Sequence, residues 1–163
     1  MIGRVPAAFG GTSLDQWEPD GELYRAAVGR VRVALRRGKL AGILWHQGEA
    51  DSALEKAATY AVRFATMIAR LRTDLDAADV PVIVGETGRF REDAGPINTV
   101  LASLPQHVAD CAFVPADGLT DKGDRLHFNT ASLRELGRRY AHAWFTLARS
   151  QPAPAAGMPA KKD

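Results

Sequence analysis

The sequence alternates short apolar runs with longer stretches of helical periodicity, and this alternation constrains the fold more than any other feature. Four apolar runs have strand length: residues 2–9, 40–45, 80–84 and 111–114. Apolar residues recur at helical spacing over residues 23–35, 53–75, 96–104 and 131–147, which predicts four helices. Strands that alternate with helices favour a layered α/β fold with a parallel sheet.

The predicted parallel sheet indicates where a functional site should lie, because such sheets bind ligands outside the carboxyl ends of their strands. Four polar loops follow the predicted strands. They are Gly10-Gly11-Thr12, His46-Gln47-Gly48-Glu49, Glu86-Thr87-Gly88 and residues 117–127. We therefore expect the functional residues in these loops.

The length predicts one domain. A chain of 163 residues can bury a substantial core, which we assign to residues 1–150. Residues 151–163 are rich in Pro and Ala and predict a disordered tail. The single cysteine, Cys111, excludes an internal disulfide framework, and its apolar run predicts a buried, inert thiol. No apolar stretch approaches the roughly 20 residues of a membrane span, so no membrane association is expected.

The charge balance gives no reason to expect a nucleic-acid partner. The formal net charge is +2, from 21 basic and 19 acidic side chains, which makes no strong field. Five arginines nevertheless share the polar face of the first predicted helix: Arg25, Arg30, Arg32, Arg36 and Arg37. A basic binding face is one interpretation of them, and the pattern favours the other, an ordinary solvated helix surface.

The last polar loop contains Asp124 and His127, three residues apart. A carboxylate at this spacing can reach the imidazole Nδ1 across a tight turn. That contact fixes the tautomer and leaves Nε2 free as a general base. The alternative is a surface turn whose acid caps the following helix.

The loop after the second predicted strand is rich in polar residues, at the point where the chain leaves the core. The amide of Gln47 can donate a hydrogen bond to a developing oxyanion, and Gly48 allows a close backbone approach. A metal site that uses His46 and Glu49 is the alternative. It needs a third ligand, and the spacing matches no familiar zinc pattern.

Three blocks of the sequence, spread over residues 2–148, resemble one enzyme family. The run Trp45-His46-Gln47-Gly48-Glu49-Ala50-Asp51 is similar to a Trp-His-Gln-Gly-Glu-x-Asp block of the sialic-acid-specific acetylesterase-like proteins. These proteins are also grouped as carbohydrate esterase family six, within the SGNH (GDSL-like) hydrolases. The segment that ends in Gly10-Gly11-Thr12 resembles the family's Gly-Gly-Thr block, one strand earlier. Asp124-Arg125-Leu126-His127-Phe128 and the helix after it resemble the terminal block.

The resemblance implies a role for several residues. His127 would be the general base and Asp124 the acid that orients it. Gln47 would donate to the oxyanion, together with the backbone N–H of Gly11 or its neighbour Gly10. Further residues would support the loops or line the pocket: Trp45, His46, Gly48, Glu49, Asp51 and Arg125. The implied reaction is hydrolysis of an acetyl ester on a sugar by a Ser-His-Asp mechanism, which needs no metal or organic cofactor.

The sequence departs from the family's pattern at the nucleophile. No early Gly-Gln-Ser-Asn-like block is present, and the chain begins where the family's second block begins. Ser13 is a weak substitute, because its loop matches the oxyanion hole. Ser52 is expected to cap the long helix instead. We therefore expect a truncated acetylesterase, and a non-catalytic pseudoenzyme or carbohydrate-binding fragment is the alternative.

The implied fold is a three-layer α/β/α, flavodoxin-like arrangement without its first strand. In that strand order the first strand lies between the second and the third. Residues 2–9 and 40–45 would then lack their shared neighbour, and an open sheet edge would favour self-association. The expected partner is an acetylated carbohydrate, whose identity the motifs leave open. The compartment is also open, since the family is often exported and no signal peptide is apparent here.

Overall fold

The computed structural model describes residues 2–150, which form a parallel sheet between two layers of helices. The strands are β1 (Ile43–Trp45), β2 (Val82–Gly85) and β3 (Cys111–Val114). The helices are α1 (Glu22–Leu35), α2 (Leu54–Asp74), α3 (Ala94–Ser103) and α4 (Thr130–Ser150). Short 3-10 helices cover Leu14–Trp17, Glu49–Asp51 and Leu104–Gln106. The predicted tail, residues 151–163, lies outside the described residues.

The sheet has the order β1-β2-β3, and both strand pairs are parallel. The central strand β2 is buried on both faces, as its continuous apolar sequence predicts. Val82 and Val84 face the core shared with α1, α2 and α3, while Ile83 faces the core shared with α4. This arrangement confirms the predicted α/β/α layers.

The helices cover the sheet with the apolar stripes that the sequence predicts. On α2, Tyr60, Phe64 and Ile68 are almost fully buried, and on α4 the side chains of Leu136 and Tyr140 are buried. No helix among residues 2–150 is long and apolar enough to cross a membrane. Each helix lies within a few residues of its predicted range.

The prediction of a strand over residues 2–9 is wrong. These residues form no strand and are almost entirely exposed; Ile2 is 94% exposed and Phe9 64%. The physical reason is the missing neighbour: a strand is stabilised only by pairing, and β1 pairs with β2 alone within the part of the chain that the structure describes. The outer edge of β1 is therefore open there, and Leu44 is 63% exposed.

Two further predictions concern single residues. Cys111 is buried, as predicted, and burial raises the pKa of its thiol to about 11. Ser52 does not cap α2, because the residue at that position is Ala53. The Ser52 hydroxyl instead donates to the carbonyl of Glu49, 2.9 Å away, and closes the short 3-10 turn before the helix.

Candidate active site

The loops at the carboxyl ends of the strands lie against one another. The loop after β1 reaches the Gly-Gly-Thr turn, where the Gln47 amide donates to the Thr12 carbonyl at 3.0 Å. Arg91, after β2, donates to the Glu49 carbonyl at 3.2 Å. The rings of His46 and Phe128 have centroids 5.9 Å apart, which joins the β1 loop to the segment before α4. The parallel sheet thus gathers residues that are far apart in sequence.

Asp124 and His127 make the contact that their spacing predicts. The Asp124 Oδ2 lies 2.6 Å from the His127 Nδ1. The other oxygen, Oδ1, accepts the backbone N–H groups of Leu126 at 3.0 Å and His127 at 2.8 Å. The His127 side chain is 62% exposed, and its Nε2 makes no hydrogen bond to another residue in the described range. This is the geometry of an oriented imidazole with a free basic nitrogen.

The electrostatics of this pair keep Asp124 ionised. The backbone N–H of His127 and its imidazole, followed by the backbone N–H of Leu126 and by Lys122, hold the pKa of the Asp124 carboxyl well below its usual range. The Lys122 Nζ lies 3.3 Å from the Asp124 Oδ2. A carboxylate that stays charged can stabilise an imidazolium as it forms.

A second acidic residue, Asp121, stabilises the turn that contains His127. The Asp121 Oδ2 accepts the backbone N–H groups of Gly123 at 3.0 Å and Arg125 at 2.6 Å. Arg125 has a left-handed φ of 56°, which lets the chain reverse between Asp124 and His127. The Arg125 guanidinium lies 3.6 Å from Glu92, and both side chains are exposed. No sequence signal pointed to Asp121, because its contacts depend on the fold of the turn.

The Gln47 amide lies in a partly buried network that uses both of its N–H groups. Its Nε2 donates to the Thr12 carbonyl and, at 2.7 Å, to the Asp51 carboxylate. Its Oε1 accepts the Tyr60 hydroxyl at 2.8 Å, and that hydroxyl accepts the Trp45 indole N–H at 3.0 Å. Both partners of Nε2 are acceptors only, so the orientation of the amide is fixed. The oxyanion role of Gln47 stays a prediction, and it requires one of these bonds to be released.

Asp51 and Gly48 hold the same loop. Asp51 is completely buried, and its Oδ2 also accepts the backbone N–H of Leu14 at 2.9 Å. Its Oδ1 is buried without a hydrogen-bond partner. A Cβ at Gly48 would lie within 3.0–3.1 Å of side chains of Ile97 and Thr87, so a larger residue would force the loop away from α3.

The turn that contains Gly10 and Gly11 is exposed and lies beside the Gln47 amide. Gly11 has a φ of 74°, which suits glycine, and a Cβ there would meet no atom within 4 Å. The N–H groups of Gly10 and Gly11 donate to no residue in the described part of the chain. They are therefore free to bind an incoming oxygen atom.

The four serines whose side chains the structure describes all have other hydrogen bonds. Ser13 donates to Asp15 at 3.1 Å, and Ser52 donates to the Glu49 carbonyl. Ser103 donates to the Val100 carbonyl at 2.7 Å, and the Ser132 oxygen accepts the Thr120 N–H at 2.9 Å. None of these four hydroxyls is hydrogen-bonded to His127.

The alternative metal site, with His46 and Glu49 as ligands, would need a third ligand, and the described residues offer none. His46 and Glu49 lie close enough for the Glu49 charge to affect the imidazole. Residues 2–150 contain no group of three or more His, Cys, Asp or Glu side chains that could hold a metal ion. His46 instead pairs with Tyr140, a residue of α4 that the motifs did not single out.

The chain is similar to known carbohydrate esterases. The model of the family described as "Carbohydrate esterase, sialic acid-specific acetylesterase" matches residues 1–146. A probable carbohydrate esterase of Arabidopsis thaliana is 32% identical over 149 residues, which cover 90% of this chain and 56% of that protein.

Two solved structures share the fold. An X-ray structure of an Arabidopsis thaliana protein superposes with a TM-score of 0.77 at 28% identity, over 84% of this chain and 58% of that one. The crystal structure of NanS gives a TM-score of 0.69 at 22% identity, over 83% of this chain and 56% of that one. The chain thus spans slightly more than half the length of these proteins. It belongs to the carbohydrate esterase family of the sialic acid-specific acetylesterases.

Proposed function

We propose that this chain carries the acid–base half of a carbohydrate O-acetylesterase. The observation that carries the proposal is the Asp124–His127 pair, with Nδ1 held at 2.6 Å and Nε2 free at the surface. Membership of a carbohydrate esterase family makes an ester of a sugar the appropriate substrate class. Sialic acids, xylan and smaller sugars all carry such acetyl esters.

His127 takes the proton of the attacking hydroxyl at Nε2 and returns it to the leaving sugar oxygen. Asp124 keeps the Nδ1–H tautomer and stabilises the imidazolium between these two steps. The lowered pKa of the Asp124 carboxyl supports this role, because the acid stays charged near neutral pH.

The oxyanion is bound by the Gly10–Gly11 turn in this proposal. Its two N–H groups are free, whereas both N–H groups of Gln47 are already donated. Gln47 then acts by holding the Thr12 carbonyl and, through it, the turn. Backbone N–H groups held in this way stabilise a tetrahedral intermediate without reorganisation during the reaction.

We expect the nucleophile of this mechanism to be a serine other than these four, since none of their hydroxyls is hydrogen-bonded to His127. The test is hydrolysis of p-nitrophenyl acetate by residues 1–163, run beside His127→Ala and Ser13→Ala variants. We expect no turnover above background for any of the three. Turnover that both substitutions remove would identify Ser13 as the nucleophile and contradict this assignment.

A non-catalytic carbohydrate-binding protein is the second candidate, and the engaged serines favour it for these residues taken alone. It predicts that residues 1–163 bind an acetylated sugar without hydrolysing it. It also predicts that a longer chain with its upstream coding sequence restored remains inactive. Acetate release by that longer chain would exclude it.

A further inference from the structure

His46 stands at the carboxyl end of β1, beside the segment that carries His127. Its Nδ1 lies 3.2 Å from the hydroxyl oxygen of Tyr140. That hydroxyl donates its only proton to the Trp45 carbonyl at 2.7 Å. The oxygen can therefore only accept from the imidazole, and this contact is a hydrogen bond when His46 carries its proton on Nδ1.

The second nitrogen of His46 is left as an acceptor. Nε2 has a lone pair in this tautomer, and it makes no hydrogen bond to another residue within the described chain. His46 as a whole residue is exposed to solvent. Desolvation of the imidazole by its neighbours lowers the pKa of His46, while the negative charge of Glu49 opposes this shift. Burial raises the pKa of Tyr140, so its hydroxyl remains a donor.

A glycine on the central strand β2 leaves space for the contact between Tyr140 and His46. A Cβ at Gly85 would lie 2.0 Å from the Tyr140 hydroxyl and 2.6 Å from the His46 Nδ1. Either distance is far below van der Waals contact. Gly85 is therefore the residue that allows Tyr140 and His46 to meet over the end of β2.

Aromatic rings lie near the His46 imidazole. The His46 ring lies 5.9 Å from the ring of Phe128, which is the residue after His127. Phe90 packs edge-on against Phe128 at 5.2 Å and is itself half-buried. A fixed acceptor beside aromatic rings suits a sugar, which offers hydroxyl donors at its edge and C–H groups on its face.

We propose that His46 is a specificity-determining residue, whose Nε2 accepts a hydrogen bond from a free hydroxyl of the sugar that carries the acetyl ester. Tyr140 and Gly85 position it. The inference rests on the proposed function for its substrate class, but it concerns binding and not hydrolysis. It distinguishes partly acetylated sugars, which retain free hydroxyls, from fully acetylated ones.

The first measurement is the tautomer of His46 in the full chain. The protein has four histidines, so ¹⁵N-histidine labelling with long-range proton–nitrogen correlation resolves each ring. We expect His46 to be protonated on Nδ1 above its pKa, and Tyr140→Phe to give a mixture of tautomers. Tyr24→Phe is the matched control, since its hydroxyl bonds Asp74 instead. A wild-type His46 protonated on Nε2 would overturn the proposal, whether or not the Tyr140 variant folds.

The second measurement is a titration with two probes, a mono-O-acetylated methyl xyloside and its per-O-acetylated counterpart. We expect only the first to shift the His46 Nε2 resonance. His46→Phe, which keeps an aromatic ring but has no acceptor, should weaken binding of that probe about tenfold, the effect of losing one hydrogen bond. His107→Phe should leave it unchanged.

Both outcomes can be read without hydrolysis, so they are independent of the esterase assignment. If the mono-acetylated probe fails to bind, or binds without moving His46 Nε2, the proposal is overturned. If it binds through His46 while a longer chain releases no acetate, the subsite stands and the esterase proposal fails.

Discussion

Two acidic residues at the same edge of the sheet have opposite surroundings. Asp51 is completely buried and accepts N–H groups from Leu14 and Gln47, in a network that fixes the loop after β1. Asp124 is near the surface and orients an imidazole that is 62% exposed. One acid holds a loop together, whereas the other holds a reactive group in contact with solvent.

The difference shows how a family motif divides between scaffold and chemistry. The Trp-His-Gln-Gly-Glu-x-Asp run looks reactive because it is polar, yet the Gln47 and Asp51 contacts in it are internal. The Asp124–His127 loop is equally polar but leaves one nitrogen free. Polar side chains that satisfy each other add stability and a fixed shape, and those left with a free atom can act on a substrate.

The same substitution at the two acids gives the largest expected difference. Asp51→Leu leaves the buried N–H of Leu14 and one N–H of Gln47 without acceptors, which should lower the free energy of unfolding by about 3 kcal/mol. Asp124→Leu exposes its freed N–H groups to water and should cost only a small fraction of that. Urea unfolding of both variants measures the difference. Equal losses would contradict the comparison.

Tyr60→Phe tests the buried network at its other end. It removes the donor to the Gln47 Oε1 and the acceptor of the Trp45 indole, so we expect a loss of about 2 kcal/mol. Tyr24→Phe is the matched control, because Asp74 keeps its contact with Arg70 at 3.0 Å. Thermal and urea unfolding should rank the Tyr60 variant lower. A Tyr24 variant of equal or lower stability would mean that the Gln47 network contributes no more to the free energy of unfolding than an ordinary surface hydrogen bond.

His46 should make stability depend on pH. Its pKa in the folded chain is lowered, so the unfolded chain takes up the proton first as the pH falls below the ordinary value of 6.5. The free energy of unfolding should therefore decrease as the pH falls through that region and level off below the folded pKa. In His46→Gln this decrease should be shallower, and His107→Gln should behave like the wild type. An unchanged slope in His46→Gln would contradict the assigned cause.

Asp124 should show the smallest effect in the neutral range. Its pKa is lowered in the fold, so its stabilising contacts are complete above the ordinary value of 3.8 and are lost only as the pH falls through the folded value. Between about pH 5 and 8 the Asp124 carboxyl carbon should not titrate in an NMR experiment. A chemical-shift change of the size that carboxyl protonation causes, in that interval, would mean that the turn does not hold the carboxylate as described.

The sequence was sufficient to predict the helices and strands whose apolar periodicity lies within one short segment. Helix α2 was expected over residues 53–75 and spans Leu54–Asp74, and β3 matches its expected range. The strand predicted over residues 2–9 failed because an apolar run becomes a strand only beside a partner, which depends on other parts of the fold.

The candidate site was predictable to a similar degree. The spacing of Asp124 and His127 was enough to predict their contact, because three residues span one turn. That every hydrogen-bonding atom of the Gln47 amide has a partner was not predictable from the sequence. Its partner Tyr60 lies on α2 and its partner Thr12 lies before α1, both far from Gln47 in sequence. The contact between Tyr140 and His46 was not predictable for the same reason. The spacing of Tyr140 on α4 indicates a core residue, and only the packed fold brings its hydroxyl to His46.

The most direct test of the account is acetate release from O-acetylated xylan by a longer chain, in which these residues follow their own upstream coding sequence. The account predicts hydrolysis that His127→Ala reduces by about three orders of magnitude or more, with little change in stability, because an exposed general base is removed. Equal rates for the wild type and His127→Ala would contradict it.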